Sequence, residues 1–423
     1  MRILHVIHQF FPDCHSGTEQ HCLAAAREAR RCGNDVTVLS LHPRHEDEEP
    51  PIQRFEQPYD GFRVIRLNHW RRLNPNDVLR DYENPHLDGA FQAVLDDVRP
   101  DVVHFFHLRQ LGSNLIPVVR RNGLRAVVSL TDFWFLCPRF TLLRGDGQLC
   151  EGPPEGGAGC VRCEYPELSG VTPSASPAPA SNAPAARLRA LLDRQATQAR
   201  NLAAADAIFA PSAFLAEMFV RNGLPRQRVQ VVPYGLEPGR IVPLPATRPR
   251  KPLRLAFCGV LSPWKAPHLL VEAVRGSAAA VRLRVHGRTA EPMFQAYIDR
   301  VRAAAASDPR IEFPGAYDAA DAPRVFADMD VLVVPSTWYE NTPFVVLEAF
   351  AAGVPVLASD LGGLREIVQP GVNGDLFRAS DAAALRAMIE RIAAEPGWFD
   401  TLRVQPPTTI ADNHERFLAA YRN

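Results

Sequence analysis

The sequence predicts an α/β protein made of two doubly wound, Rossmann-like domains facing each other across a cleft. Three observations carry that prediction. Apolar runs of four to six residues alternate with helical segments, the pattern of a parallel sheet covered on both faces. The alternation occurs once in each half of the 423-residue chain, which is too long for one small domain. Between the halves lies LEPGRIVPLPATRPRKP (236–252), proline-rich and without periodicity, as linkers are.

In chain order, RILHVI (2–7) is a strand, 18–33 a helix ending at Gly33, and DVTVLS (35–40) the next strand. FRVIRL, DVVHFF and RAVVSL follow as strands, with helices near 84–98 and 111–122. A long helix at 186–205 leads to strands AIFAP and RVQVVP around a short helix. In the second half LRLAFCG, VRLRVHG, RIEFPG, VLVVPS and PVLAS are strands, with helices near 265–275, 292–305, 320–328, 343–352 and 381–394. The resulting division is an N-terminal domain at 1–236, a linker at 237–252, a second domain at 253–400 and a C-terminal segment at 401–423. The final helix, 411–422, can pack on either domain; GVTPSASPAPASNAP (170–184) has the composition of a mobile surface loop.

Hydrophobic residues make up 46% and charged residues 22%, ordinary for a soluble enzyme, and the formal net charge is zero. Nothing in that balance selects nucleic acid as a partner. No apolar run reaches the ~20 residues a membrane-spanning helix needs. The first residues read as a strand because His5 and His8 interrupt the apolar stretch and no cleavage site follows. The expected location is cytoplasmic, with a peripheral contact to the inner face of the membrane left open by arginine pairs such as Arg71-Arg72 and Arg120-Arg121. Lysine occurs only at Lys251 and Lys265 among 47 basic residues, so each marks a place where arginine does not serve.

The chemistry concentrates in STWYENTPFVVLEAFAAGVPVLAS (336–359). Thr342 is the expected N-cap of the helix there, with Pro343 at its first position. The first-turn N–H groups of Phe344 and Val345 then form an anion site at the strand's carboxyl end. Glu348 lies more than a turn inside that helix, and every neighbour is apolar. A buried unpaired carboxylate costs several kcal/mol or takes up a proton. It needs either ribose hydroxyls, whose two donors match two carboxylate oxygens, or an arginine from a neighbouring element.

Glu340, seven residues (NTPFVVL), Glu348 and then AFAAGVPV resemble the E-x7-E signature of retaining glycosyltransferase family 4, of GT-B fold. GGLREIV and GVNGDLF fit the same family, and the resemblance covers nearly the whole chain. It implies that Glu348 binds the donor's ribose, that Glu340 lies near the donor sugar, and that Phe344 and Val345 N–H groups meet the diphosphate or sugar. FCGVLSPWKAP (257–267) resembles the family's phosphate-binding segment: Gly259 and Lys265 match, while Val260 stands where relatives carry arginine. Lys265 then neutralises the departing diphosphate. Gly17 resembles the glycine-rich loop that approaches donor phosphate, with the usual glycine pair reduced to Ser16-Gly17. Gly287, in VHGRTAEP, falls in a loop expected to meet the donor base.

The first domain is expected to hold the acceptor, with His107 and Asp132 as its candidates and His104 as a core histidine or a further candidate. No first-domain carboxylate is placed by motif as a base, and no Asp-x-Asp is read as a metal motif in either half. The resemblance implies metal-independent transfer with retention, a phosphate oxygen taking the acceptor's proton. The nucleotide sugar is a substrate, so no catalytic cofactor is expected; the acceptor is a glycan or lipid-linked glycan hydroxyl. Two alternatives share the architecture: a nucleotide-sugar epimerase and a non-catalytic nucleotide-sugar-binding scaffold. Separately, Cys137, Cys150, Cys160 and Cys163 give C-x12-C-x9-C-x2-C, whose C-x2-C half and four thiolates suit a structural zinc ion.

Overall fold

The computed structural model describes residues 1–14, 16–42, 52–69, 78–175, 183–245, 251–395 and 397–422. The Arg71-Arg72 pair and residues 176–182 of the expected loop at 170–184 lie outside them. Two compact units result: Met1–Tyr234 with Ile410–Asn423, and Gly235–Thr409.

The first unit holds eight strands: β1 (Arg2–Ile7), β2 (Asp35–His42), β3 (Ile52–Glu56), β4 (Arg63–His69), β5 (Val102–Phe105), β6 (Arg125–Ser129), β7 (Ala207–Ala210) and β8 (Val229–Val231). Their order is β3-β4-β2-β1-β5-β6-β7-β8. All pairs are parallel except β3 with β4. β3 is missing from the sequence reading because IQRFE lacks an apolar run and sits half-buried or exposed at the sheet edge. Helix Gly17–Arg31 buries Cys22, Leu23, Ala25, Ala26 and Ala29 against Ile3, Ile7, Val36 and Val38.

Helix Ile410–Arg422 closes this core with Phe417, Ala420 and Tyr421. It is held by His104, whose Nδ1 lies 2.6 Å from the Tyr421 hydroxyl, and by Asn413, which donates to the Pro233 carbonyl at 2.8 Å. The C-terminal segment therefore splits: residues up to Thr409 belong to the second unit and the helix to the first.

The second unit holds β9 (Leu253–Cys258), β10 (Val281–His286), β11 (Ile311–Gly315), β12 (Val331–Val334), β13 (Val356–Ser359) and β14 (Gly374–Phe377), ordered β11-β10-β9-β12-β13-β14 and parallel throughout. Apolar clusters cover its two faces. The expected linker is in part this unit's structure: Ile241 is buried beside Val346 and Phe350, and Leu244 N–H donates to the Ala352 carbonyl at 3.0 Å. Proline content conceals that anchoring, because two apolar side chains suffice to dock a segment with no periodicity.

Both sheets reverse their winding at one point, between β1 and β5 in the first unit and between β9 and β12 in the second. Loops leaving the carboxyl ends of those strands splay apart and leave a crevice where α/β proteins bind ligands. Among the described residues no helix is long and apolar enough to cross a membrane.

Candidate functional site

At the second unit's switch point, β9 runs into the loop carrying Lys265 and β12 into the loop carrying Glu340. Thr337 N–H donates to the Trp264 carbonyl at 2.8 Å, which ties the two loops together. Lys265 Nζ is 2.7 Å from Glu340 Oε1. The same oxygen accepts from Ser336 Oγ at 2.7 Å and Trp338 Nε1 at 2.8 Å, and Lys265 Nζ stands 5.5 Å from the Trp338 ring centre. Glu340 is buried, yet three donors converge on one of its oxygens and Oε2 takes none of them. Buried carboxylates persist when paired and hydrogen-bonded in this way.

The Gly362-Gly363 pair seats this loop. Gly363 N–H donates to the Glu340 carbonyl at 2.7 Å, and a Cβ built on Gly363 would fall 1.9 Å from the Asn341 carbonyl oxygen. Only glycine fits where backbone approaches backbone so closely.

The helix that follows runs Phe344–Ala352, capped at its C-terminus by Gly353 in the left-handed region (φ 75°). Its N-cap is Pro343, not Thr342, and Pro343 does not take the first helical position. The fixed φ of proline suits either place, so the shift is one residue. Phe344 and Val345 remain in the first turn, at the carboxyl end of β12.

Glu348 is 6% exposed, and the arginine alternative for its partner is the one formed: Arg240 reaches Oε1 at 2.8 Å. Burial raises the carboxyl above its usual range, opposed by Arg240's charge and hydrogen bond. Gly259 (φ +152°) and Gly287 end β9 and β10 in close approach; a Cβ on Gly287 would meet the Gly259 carbonyl oxygen at 2.3 Å. Sequence reasoning missed Arg240, Ser336 and Trp338. Arg240 carried no signal beyond lying in the proline-rich stretch.

In the first unit, Gly17 opens the helix after β1, and the Ser16 hydroxyl donates to the Glu19 carboxylate. His8, His107 and Asp132 follow β1, β5 and β6. His107 Nε2 lies 3.1 Å from Asp132 Oδ2, and Arg109 N–H donates to His107 Nδ1 at 3.2 Å. A ring nitrogen that accepts carries no proton, so Nε2–H donates to Asp132. Asp132 Oδ1 accepts the Trp134 N–H at 2.8 Å. The His8 ring centre is 4.1 Å from that of His107. His8 entered the sequence reading only as a break in an apolar run.

His104 is a core histidine: fully buried, bonded to Tyr421 and Ser129, and held well below the usual imidazole range by burial. Arg120 is committed to Asp206 at 2.8 Å.

The four cysteines share one small substructure. An antiparallel bridge joins Leu143 to Leu149, and Cys150 N–H donates to the Leu142 carbonyl at 2.8 Å. Arg139, two residues after Cys137, pairs with Glu164 at 2.6 Å, beside Cys160 and Cys163 in helix Ala158–Glu164. The expected metal cage is not formed. Among the described residues no three His, Cys, Asp or Glu side chains group so as to hold a metal ion, and Cys150 Sγ turns to the Gly152 carbonyl at 2.9 Å. Burial pushes the Cys160 thiol up to about 12 and raises that of Cys137.

Solved structures define the class. Anabaena HepE, solved in complex with UDP and glucose, superposes with a TM-score of 0.63 at 18% identity, covering 100% of this chain and 97% of that one. Sucrose-phosphate synthase from Thermosynechococcus elongatus does so at 0.64 and 18%, covering 99% and 94%. The fold is GT-B.

Residues 15–240 match the model of Glycosyltransferase Family 4 and residues 252–395 that of Glycosyl transferases group 1. The chain thus belongs to glycosyltransferase family 4. It is 33% identical over 211 residues to a D-inositol 3-phosphate glycosyltransferase of Geodermatophilus obscurus, covering 45% of this chain and 47% of that one. Against a colanic acid biosynthesis glycosyltransferase, WcaL of Escherichia coli K12, identity is 28% over 183 residues, with 41% and 43% covered. The match therefore spans under half the length of these relatives.

Proposed function

We propose that this protein transfers a sugar from a nucleoside-diphosphate sugar to a hydroxyl of a glycan or lipid-linked glycan, in glycan biosynthesis. The observation that carries the reading is the second unit's switch point, where Lys265, Glu340 and the first turn of helix Phe344–Ala352 stand together. A departing diphosphate needs cationic and N–H donors placed in advance, and Lys265 with the Phe344 and Val345 N–H groups supplies both kinds. Glu340 Oε2 is left to meet the donor sugar while Oε1 is held by three donors. Glu348 accepts from the ribose, near Cys258 at the end of β9.

Transfer proceeds with retention and without a catalytic metal in this reading. The acceptor hydroxyl attacks on the face the diphosphate leaves, and a diphosphate oxygen takes its proton. Family membership supports this course, and the two carboxylates of Asp328-Met329-Asp330 are both engaged by Arg254. His107, oriented by Asp132 and Arg109, serves the acceptor by hydrogen bonding. The location proposed is cytoplasmic; the metal expected at the four cysteines has no part in the reaction.

The test is a thermal-shift panel of UDP-, GDP- and ADP-sugars on wild type and Glu348→Ala, followed by transfer assays with the stabilising donor. One donor is expected to raise the midpoint of wild type and to lose most of that effect in the variant. A panel with no stabilising donor overturns the reading, and binding without turnover on any acceptor favours a scaffold.

A further inference from the structure

Arg240 lies outside the E-x7-E motif, yet it is the ion-pair partner of that motif's second glutamate. Its backbone is fixed independently of the pair. Arg240 N–H closes a turn onto the Glu237 carbonyl at 3.3 Å, and the next residue, Ile241, is buried with Val346 and Phe350. From that anchor the guanidinium reaches Glu348 with its side chain 20% exposed, so the contact is largely removed from water.

Other elements face the carboxylate with groups that carry no charge near pH 7. Cys258, ending β9, has its thiol pushed up to about 12 by burial. Tyr317, after β11, is raised by burial and hydrogen-bonds to Cys258. His286, ending β10, packs edge-on to the Tyr317 ring at 5.6 Å and is lowered by burial. Among the described residues Arg240 is the charge that acts on Glu348.

The protonation state of Glu348 decides what it can bind. An ionised carboxylate offers two oxygens to the two vicinal hydroxyls of a ribose. A protonated carboxyl loses acceptor capacity and brings a donor of its own. Burial favours the protonated form, and a partner cation opposes it.

We infer that Arg240 is a positioning residue for the nucleotide: by holding Oε1 it keeps Glu348 ionised and oriented to accept from the ribose hydroxyls. The inference rests on Glu348 being the ribose-binding residue. It differs from a purely structural role because it ties nucleotide affinity to the ionisation of one carboxyl group. A merely structural pair changes the thermal midpoint and leaves any binding loss independent of pH.

The experiment is calorimetric titration of UDP, GDP and ADP into the full-length protein between pH 6 and 9, for wild type, Arg240→Met, Arg240→Lys and Glu348→Gln. The tightest of the three nucleotides is then followed. Wild-type affinity is expected to vary by less than about threefold across the range, and Arg240→Lys to stay close to it. Arg240→Met is expected to bind about tenfold or more weakly at pH 6 and to recover as pH rises and Glu348 ionises. Glu348→Gln is expected to be weak at every pH. If Arg240→Met does not fold, Arg240→Gln takes its place. Loss in that variant that is equal at every pH, or no loss at all, overturns the inference. Wild type that binds none of the three nucleotides overturns the donor reading instead, and this inference with it.

Discussion

The two switch points occupy the same topological position and are built from opposite materials. In the second unit, Lys265–Glu340 and Arg240–Glu348 set two cations against two buried carboxylates. In the first unit, His8, His107 and Trp134 put aromatic rings beside Asp132, with successive ring centres 4.1 Å and 5.5 Å apart, while the Trp134 indole donates to Asp81, which Arg109 pairs. Fixed charges held by short donors cost little to reorganise when a leaving group develops charge. Rings with one hydrogen-bonding edge hold a neutral hydroxyl in place but stabilise little charge. The division fits the proposed reading, in which the donor departs as an anion and the acceptor arrives as an alcohol.

That comparison breaks most visibly through Lys265. Lys265→Met leaves Glu340 Oε1 with Ser336 and Trp338, so the loop keeps two of its three ties. We expect a loss of about 10²–10³ in the transfer rate, the scale for removing one charge-stabilising donor. His107→Asn, which retains a hydrogen-bonding edge, should cost no more than about tenfold through looser positioning of the acceptor. Initial rates with a matched donor and acceptor measure both. Equal losses would erase the distinction between the two switch points.

The strand alternation made the fold legible because buried parallel strands leave unbroken apolar runs, as β12 and β13 do, while β10 (VRLRVH) shows through alternation. β3 and β14 do not. IQRFE is an exposed edge, and GDLF offers two apolar residues where the equally short VLVV offers four. At the site, Glu340, Glu348 and Lys265 stood out because a charge amid apolar neighbours, or a rare residue type, is a local signal. Their partners gave none. Ser336 and Trp338 look like ordinary loop residues, and Arg240 is one arginine of many; its role comes from a contact across 108 residues of sequence, the span from 240 to 348. The Pro343 cap shows the same limit in small, since no side chain distinguishes Thr342 from Pro343 as the boundary.

The histidines sharpen the comparison in another way, because four of those in the first unit serve the core. Burial pushes His5 and His21 down to about 3 and lowers His104 and His414. Each is neutral in the fold and charges near 6.5 once unfolded. The unfolded chain therefore binds more protons between about pH 6.5 and 3, so stability is full above 6.5 and falls as pH drops through that window. Each such histidine contributes a slope of about 1.4 kcal/mol per pH unit. His21 sits among Phe106, Tyr234 and Phe417. His21→Phe should flatten the acid loss of the first unit by about one such slope, read from urea midpoints between pH 7 and 5. An unchanged slope would mean that His21 already carries its proton in the fold.

The smallest effect is expected at the cysteines, where spacing and geometry disagree. Cys137 Sγ accepts the N–H groups of Leu142 and Arg139, Cys150 Sγ–H donates to Gly152, and Cys160 is held protonated by burial and by its neighbouring thiols. Cys137, Cys150 and Cys160 thus each have partners or neighbours within the fold itself. Arg139–Glu164 and the Leu143–Leu149 bridge hold the segment by ordinary means. Chelator is expected to move the thermal midpoint by less than about 1 °C, the outcome if no metal braces the segment. Release of one equivalent of zinc with a drop of several degrees would show that the four thiolates close on a metal, and that the first unit is braced by charge after all.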